Sequence, residues 1–169
     1  VNTDVSIADL IRGIIIQSGN DACIVVAEGL GGDEASFAMM MNETARGLGM
    51  LDSHFVIATG WPHPEHVTTA KDLSILARNL IDKFPQYYSI FAERSFTFSK
   101  IRQGNRNPLL YKNIGADGLK TGHTEAAGYG LVASAERNGR RLDLVVNGLS
   151  SVNHRSKESQ RLLTWGFRE

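Results

Sequence analysis

Between residues 128 and 148 two strand-like runs, Gly128–Glu136 and Arg141–Gly148, flank Arg137-Asn138-Gly139-Arg140. Asn-Gly supplies the two left-handed backbone positions that a tight antiparallel hairpin requires. The second half of this chain therefore predicts an antiparallel sheet. From about Asn153 to Phe167 a helical spacing follows, with Leu162, Leu163 and Trp165 on its inward face. That helix has the sheet to pack on.

The first half has a different period. Thr3 or Ser6 can cap a helix through Ile7, Leu10, Ile11, Ile14 and Ile15, which ends at Ser18-Gly19-Asn20. Asp21–Leu30 is apolar through its middle and predicts a helix buried on most sides, with Cys23 as a small buried hydrophobe. Asp33 caps a third helix with Phe37, Met40, Met41, Thr44 and Ala45 on one face, stopped at Gly47-Leu48-Gly49. Residues 50–67 form a loop, and Thr68 or Thr69 caps a fourth helix with Leu73, Leu76, Ala77, Leu80 and Ile81 inward. Ser95–Ile101 alternates as a strand, and Asn105–Tyr111 forms a polar turn. Helices first, then antiparallel strands and one closing helix, make the class α+β.

Lys plus Arg and Asp plus Glu both number 18, so the formal net charge is zero. That argues against recruitment to nucleic acid by bulk charge. A single cysteine excludes an intrachain disulfide. No apolar run approaches the ~18 residues of a membrane span. His63-Pro64-Glu65-His66 places a proline between its histidines, which disfavours helical metal ligation, and no further ligand cluster is evident. The reading calls for neither a metal nor a cofactor.

Two short stretches carry the chemistry. Lys120-Thr121-Gly122 offers a fixed positive charge, a small hydroxyl and a backbone open to close approach. Ser18-Gly19-Asn20, about a hundred residues upstream, offers a hydroxyl and an amide on a short loop between helices. Together they can relay a proton, orient a carbonyl and anchor a carboxylate.

This pairing resembles the penicillin-binding serine D-alanyl-D-alanine carboxypeptidases, whose motif set it matches. The resemblance extends through Met41-Asn42, Ser53-His54-Phe55, Thr59-Gly60, Thr69-Ala70-Lys71-Asp72, Asn105-Arg106-Asn107, Ala127-Gly128-Tyr129 and Leu162–Phe167. It implies a β-lactamase/transpeptidase-like fold, an acyl-enzyme mechanism and a peptidoglycan stem peptide ending in D-Ala-D-Ala as substrate. It also implies β-lactam antibiotics as inhibitors, and a location in the periplasm or on the outer face of the cytoplasmic membrane. By the same resemblance Ser18 passes a proton toward the leaving group and Asn20 holds the substrate carbonyl. Lys120 then helps bind the terminal carboxylate and tunes the nucleophile, Thr121 and Gly122 line the pocket, His123 aids binding, and Arg155 sits near the same carboxylate. Plainer roles stand beside these: Ser18 as a helix cap, His123 as a solvated turn residue, Arg155 as surface charge.

One departure is large. The family's nucleophile and basic lysine lie in a Ser-x-x-Lys motif, and no lysine here has serine three positions before it. Lys71, Lys83, Lys100, Lys112, Lys120 and Lys157 follow Thr68, Leu80, Thr97, Leu109, Asp117 and His154. The neighbours of Ser18 in the chain supply no general base to replace the pair. The expectation is one partial transpeptidase-like domain over residues 1–169, mostly helical to 93 and then strands plus the closing helix. It lacks an N-terminal segment and is inactive alone. The rival readings are a non-catalytic muropeptide-binding module, a β-lactamase, and an endopeptidase of the same fold.

Overall fold

The structure, a computed structural model, describes residues 3–169. The Ser6 hydroxyl accepts from the Asp9 N–H at 3.1 Å and starts α1 (Ile7–Arg12), which widens into a π-helical stretch at Gly13–Gln17. After the break at Ser18, α2 (Asn20–Gly31) and α3 (Glu34–Leu48) pack together. Asp33 caps α3, and Gly49, at φ 90°, ends it in the left-handed region that glycine enters without strain. The loop through residue 67 leads to α4 (Ala70–Lys83), capped by Thr69, and to the short α5 (Pro85–Tyr88). Among the described residues no helix is long and apolar enough to cross a membrane.

Three helical expectations change. In α2 only Ala27 is buried, while Val25 is 50% and Leu30 66% exposed. An all-round apolar helix needs neighbours on every side, and within these residues α3 covers one. The lone Cys23 is half-buried rather than enclosed. In α3 the inward residues are Ala38 and Ala45, with Phe37, Met41 and Asn42 half-buried, whereas Met40 and Thr44 face outward. Asn42 belongs to the inward set because it exchanges hydrogen bonds with the Phe55 backbone at 2.6 and 2.8 Å, tying the long loop to the helix.

The expected strand Ser95–Ile101 is instead a hairpin of β1 (Ser95–Phe98) and β2 (Ile101–Gly104). Ser99 and Lys100 make its turn at φ 47° and 67°. Positions of that kind usually carry glycine or asparagine, so Ser99-Lys100 carries no turn signal. Asn105–Tyr111 contains a 3₁₀ turn, Pro108–Tyr111, capped by Asn107.

The main sheet is antiparallel, with β3 (Ala116–Thr124) and β5 (Arg140–Leu149) on either side of β4 (Gly128–Arg137). Asn138 and Gly139, at φ 50° and 76°, turn β4 into β5 as the sequence predicts. Alternation along β4 divides its side chains. Leu131, Ala133 and Ala135 join Leu109, Ile114, Val146 and Leu163 in a core beneath α6 (Val152–Gly166). Val132 lies with Leu119, Ala77, Leu80 and Tyr88 on the α4 side. Each large apolar side chain so buried contributes roughly 1.5–3 kcal/mol. Leu162 and Leu163 face the sheet as expected, but Trp165 is 57% exposed, because the α6 face spans 159, 162 and 163 and turns away at 165.

Strand β3 is fixed at its start by buried polar groups. The carboxylate of Asp117 accepts from the Tyr88 hydroxyl at 2.8 Å and from both terminal nitrogens of Arg141 at 2.9 and 2.8 Å. Burial pushes the Tyr88 phenol above its usual range, so it stays a donor. Asn107 is 1% exposed, donates to the Gly118 carbonyl at 2.9 Å and accepts from the Leu109 N–H at 3.1 Å. Replacing Asn107 with alanine strands both partners in a dry site. We expect Asn107→Ala to lose about 2–3 kcal/mol in urea unfolding, and Arg106→Ala, at the exposed neighbour, to stay within about 0.5 kcal/mol of the parent.

Candidate active site

The loop Ser18-Gly19 is held by its backbone. Gly19 N–H donates to the Gly13 carbonyl at 3.0 Å, and Ser18 sits at φ 56°, ψ 46°. A non-glycine residue in that region is strained by roughly 1–3 kcal/mol, an expense met by the packed helices on both sides. Asn20 is the first residue of α2 and is solvent-exposed, so its amide is open to a ligand.

Lys120 crosses to that loop. Its ammonium donates to the Ser18 hydroxyl and, at 2.9 Å, to the Thr121 carbonyl. Among the described residues it has no carboxylate partner within ion-pair distance. Desolvation, reinforced by the charges of Arg106 and Arg155, lowers its pKa to about 8. The base absent from Ser18's sequence neighbours is thus present in space, though at neutral pH Lys120 is mostly protonated and acts as a donor.

β3 is an edge strand of the sheet, so its outer backbone is available to an added extended chain. Thr121 is half-buried, and Gly122 and His123 are exposed. A Cβ at Gly122 would meet nothing within 4 Å, whereas one at Gly118 would lie 2.6 Å from the Tyr88 hydroxyl oxygen. Internal packing explains Gly118 and leaves Gly122 unexplained. Open space in front of Gly122 suits a ligand drawn close to the backbone.

Arg155 is no surface charge. It is 5% exposed, its Nη1 donates to the Gly122 and Gly130 carbonyls at 3.3 and 3.4 Å, and its Nε has no partner. Burial lowers its pKa. His123 lies on a strand, not a turn, with its ring 3.9 Å from that of Tyr129. Lys120 and Ser18 therefore meet directly, with Asn20 two residues along the chain, while His123 and Arg155 gather around Tyr129. Arg106, whose charge also acts on Lys120, is not among the residues the motifs single out. It is exposed between two buried asparagines, Asn105 and Asn107, and that bracketing is the signal that would have singled it out. No three metal-ligating side chains converge among the described residues.

Helices packed on an antiparallel sheet, with Ser-Gly-Asn facing a Lys-Thr-Gly edge strand, define the transpeptidase-like class of penicillin-binding proteins. Residues 1–151 match the D-alanyl-D-alanine carboxypeptidase family, peptidase S11, and the chain belongs to that family. D-alanyl-D-alanine carboxypeptidase DacC of Escherichia coli K12 is 48% identical over 165 residues, 97% of this chain and 41% of that protein. The crystal structure of penicillin binding protein 5 from Haemophilus influenzae superposes at a TM-score of 0.96 with 44% identity, covering 99% of this chain and 49% of that one. Penicillin-Binding Protein D2 from Listeria monocytogenes, solved in a cefotaxime-bound form, superposes at 0.89 with 34% identity, over 96% of this chain and 67% of that one. The chain spans 41% to 43% of the length of curated relatives such as these carboxypeptidases.

The charge on Lys120 gives a direct test. Its ammonium should titrate near pH 8 by nitrogen-detected NMR, and Arg106→Ala should raise that value toward 10.5 by removing a repelling cation. The folded pKa lies below the unfolded one, so the unfolded chain binds more protons between them. Stability should rise with pH across that window, and Lys120→Met should flatten the rise.

Proposed function

We propose that this chain forms the Lys-Thr-Gly and Ser-Gly-Asn side of a serine-type D-Ala-D-Ala carboxypeptidase site. The Ser-x-x-Lys nucleophile comes from residues outside these 169. The observation that carries the reading is the partly desolvated Lys120 ammonium on the Ser18 hydroxyl, a proton path facing an open strand edge. The substrate is a peptidoglycan stem peptide. Its backbone lies along β3 and its penultimate carbonyl meets the Asn20 amide. Its terminal carboxylate is held at the end of the site where Lys120 and Arg155 supply positive charge and Thr121, Gly122 and His123 line the pocket. The nucleophile attacks that carbonyl, the Ser18–Lys120 pair delivers a proton to the departing D-Ala amine, and water completes the cycle. Such a substrate places the protein in the periplasm or on the outer face of the cytoplasmic membrane, and β-lactams enter as substrate mimics.

Alone, the chain is inactive in this reading, because Ser18 already accepts a hydrogen bond from a mostly protonated lysine. A second reading, a non-catalytic muropeptide-binding module, draws on the absence of Ser-x-x-Lys from the sequence. Intact-mass measurement after incubation with a fluorescent penicillin separates them. We expect the full-length protein to gain one label and the 169-residue chain none at neutral pH. A label on the short chain makes Ser18 the nucleophile, and no label on either favours the binding module. Gly122→Ala should leave the melting temperature unchanged, since its Cβ meets open space, yet weaken binding of a D-Ala-D-Ala peptide at least severalfold in a titration.

A further inference from the structure

The proposed function does not use Tyr129, although Tyr129 touches both groups at the anion end of the site. It stands opposite His123 in the β3–β4 register, and the two rings lie 3.9 Å apart between centroids at 30°. The Arg155 guanidinium carbon lies 5.6 Å from the centre of the same ring. Tyr129 is therefore a common support for an imidazole from the edge strand and a guanidinium from the closing helix.

The backbone around Tyr129 is built to hold it there. Between Tyr129–Leu149 and Leu131–Val146 the pairing of β4 with β5 slips by one residue, a bulge on β5. Gly148 takes φ 72° in that bulge, and Gly128, at φ 68°, would place a Cβ 3.0 Å from the Gly148 carbonyl carbon. A Cβ at Gly130 would lie 2.6 Å from the Asn147 side-chain oxygen. Glycines at 128 and 130 thus let β4 and β5 approach closely on both sides of Tyr129, and Gly148 supplies the left-handed backbone of the bulge. Bulges beside functional sites commonly re-aim one side chain.

Arg155 shows why such a support matters. It is buried, its two carbonyl contacts are long, and its Nε hydrogen has no acceptor among the described residues. A desolvated guanidinium with weak neutral partners and no carboxylate is poorly fixed by hydrogen bonds. An aromatic face offers what remains, attraction to the cation together with a flat surface that limits its rotamers. The same face limits His123, which is otherwise exposed.

We infer that Tyr129 is a positioning residue for the anion end of the site, its ring holding His123 and Arg155 ready for a terminal carboxylate. The inference rests on the reading that this end binds a carboxylate. The ring does the positioning, so phenylalanine should replace tyrosine and an aliphatic side chain should not.

The test is NMR on the full-length protein, titrated with an N-acyl-D-Ala-D-Ala peptide and with its C-terminal amide. In the parent, the His123 ring protons should be shifted upfield by Tyr129, and the free carboxylate should bind more tightly than the amide. Tyr129→Leu should abolish the upfield shift and weaken carboxylate binding roughly tenfold, leaving amide binding as it was. Tyr129→Phe should restore both the shift and the preference. Tyr129→Gln, polar and of similar reach, takes the place of the leucine variant if that one does not fold. The inference is overturned if the parent shows no upfield shift at His123. It is equally overturned if the leucine or glutamine variant keeps the carboxylate preference, or if phenylalanine loses it as fully as leucine. A parent that binds acid and amide alike, with the ring shift intact, instead overturns the carboxylate reading of the site.

Discussion

A lysine ammonium withdrawn from water with no acid beside it is the constraint on which the site depends. In most folds such a charge is paired, since an unpaired buried cation is disfavoured strongly enough to shed its proton. Here the ammonium keeps only the Ser18 hydroxyl and the Thr121 carbonyl, and repulsion from Arg106 and Arg155 adds to the desolvation. Lys120 is left near the point where proton donation and acceptance are both accessible around neutrality. Among the described residues no carboxylate pairs with Lys120 to offset the positive charge around it. An anionic ligand would supply the compensation.

Holding that arrangement requires a rigid β3, and much of the rest of the fold serves this purpose. Asp117 ties the start of the strand to Tyr88 on one side of the sheet and to Arg141 on β5. Asn107 ties the Gly118 carbonyl to the 3₁₀ turn. Arg155, from α6, reaches the Gly122 and Gly130 carbonyls, so the far end is restrained from the other layer. The outer edge stays open while the inner edge is fixed. An edge strand left open is usually a liability, blunted by charge or by short length. This one is nine residues long and carries Lys120 at its middle, which fits a surface meant to be paired.

How much of this the sequence discloses depends on the range over which each feature is determined. Caps at Ser6, Asp33 and Thr69, the stop at Gly49 and the turn at Asn138-Gly139 depend on adjacent residues and were legible. The Ser99-Lys100 turn was not, because two ordinary residues are held left-handed by the hairpin itself. The burial of α2 was misjudged because apolar composition states what a helix can bury and not what lies against it. For the site, the motifs point to Ser18, Asn20 and Lys120 as candidates, and the meeting of Ser18 with Lys120 across 102 residues is a tertiary fact. Tyr129 carries no sequence signal of its own, because its role lies in ring contacts that no local pattern encodes, whereas Arg106 is marked only by the asparagines on either side of it.

The strained turn at Ser18 connects these observations. A serine used only to cap a helix has no need of a left-handed backbone, and this one starts no helix with its side chain. At φ 56° the peptide chain reverses between the π-helical stretch and α2, placing the hydroxyl on Lys120 while Asn20 begins a helix two residues later. An extra residue in the preceding helix, the left-handed serine and the exposed first residue of α2 work as one device. It sets a hydroxyl and an amide at fixed offsets from an edge strand more than a hundred residues away. Local strain of this kind persists where surrounding packing imposes it, and helices on both sides do so here. The geometry is expensive for folding and specific for chemistry, which favours a site that moves protons over one that only grips a peptide.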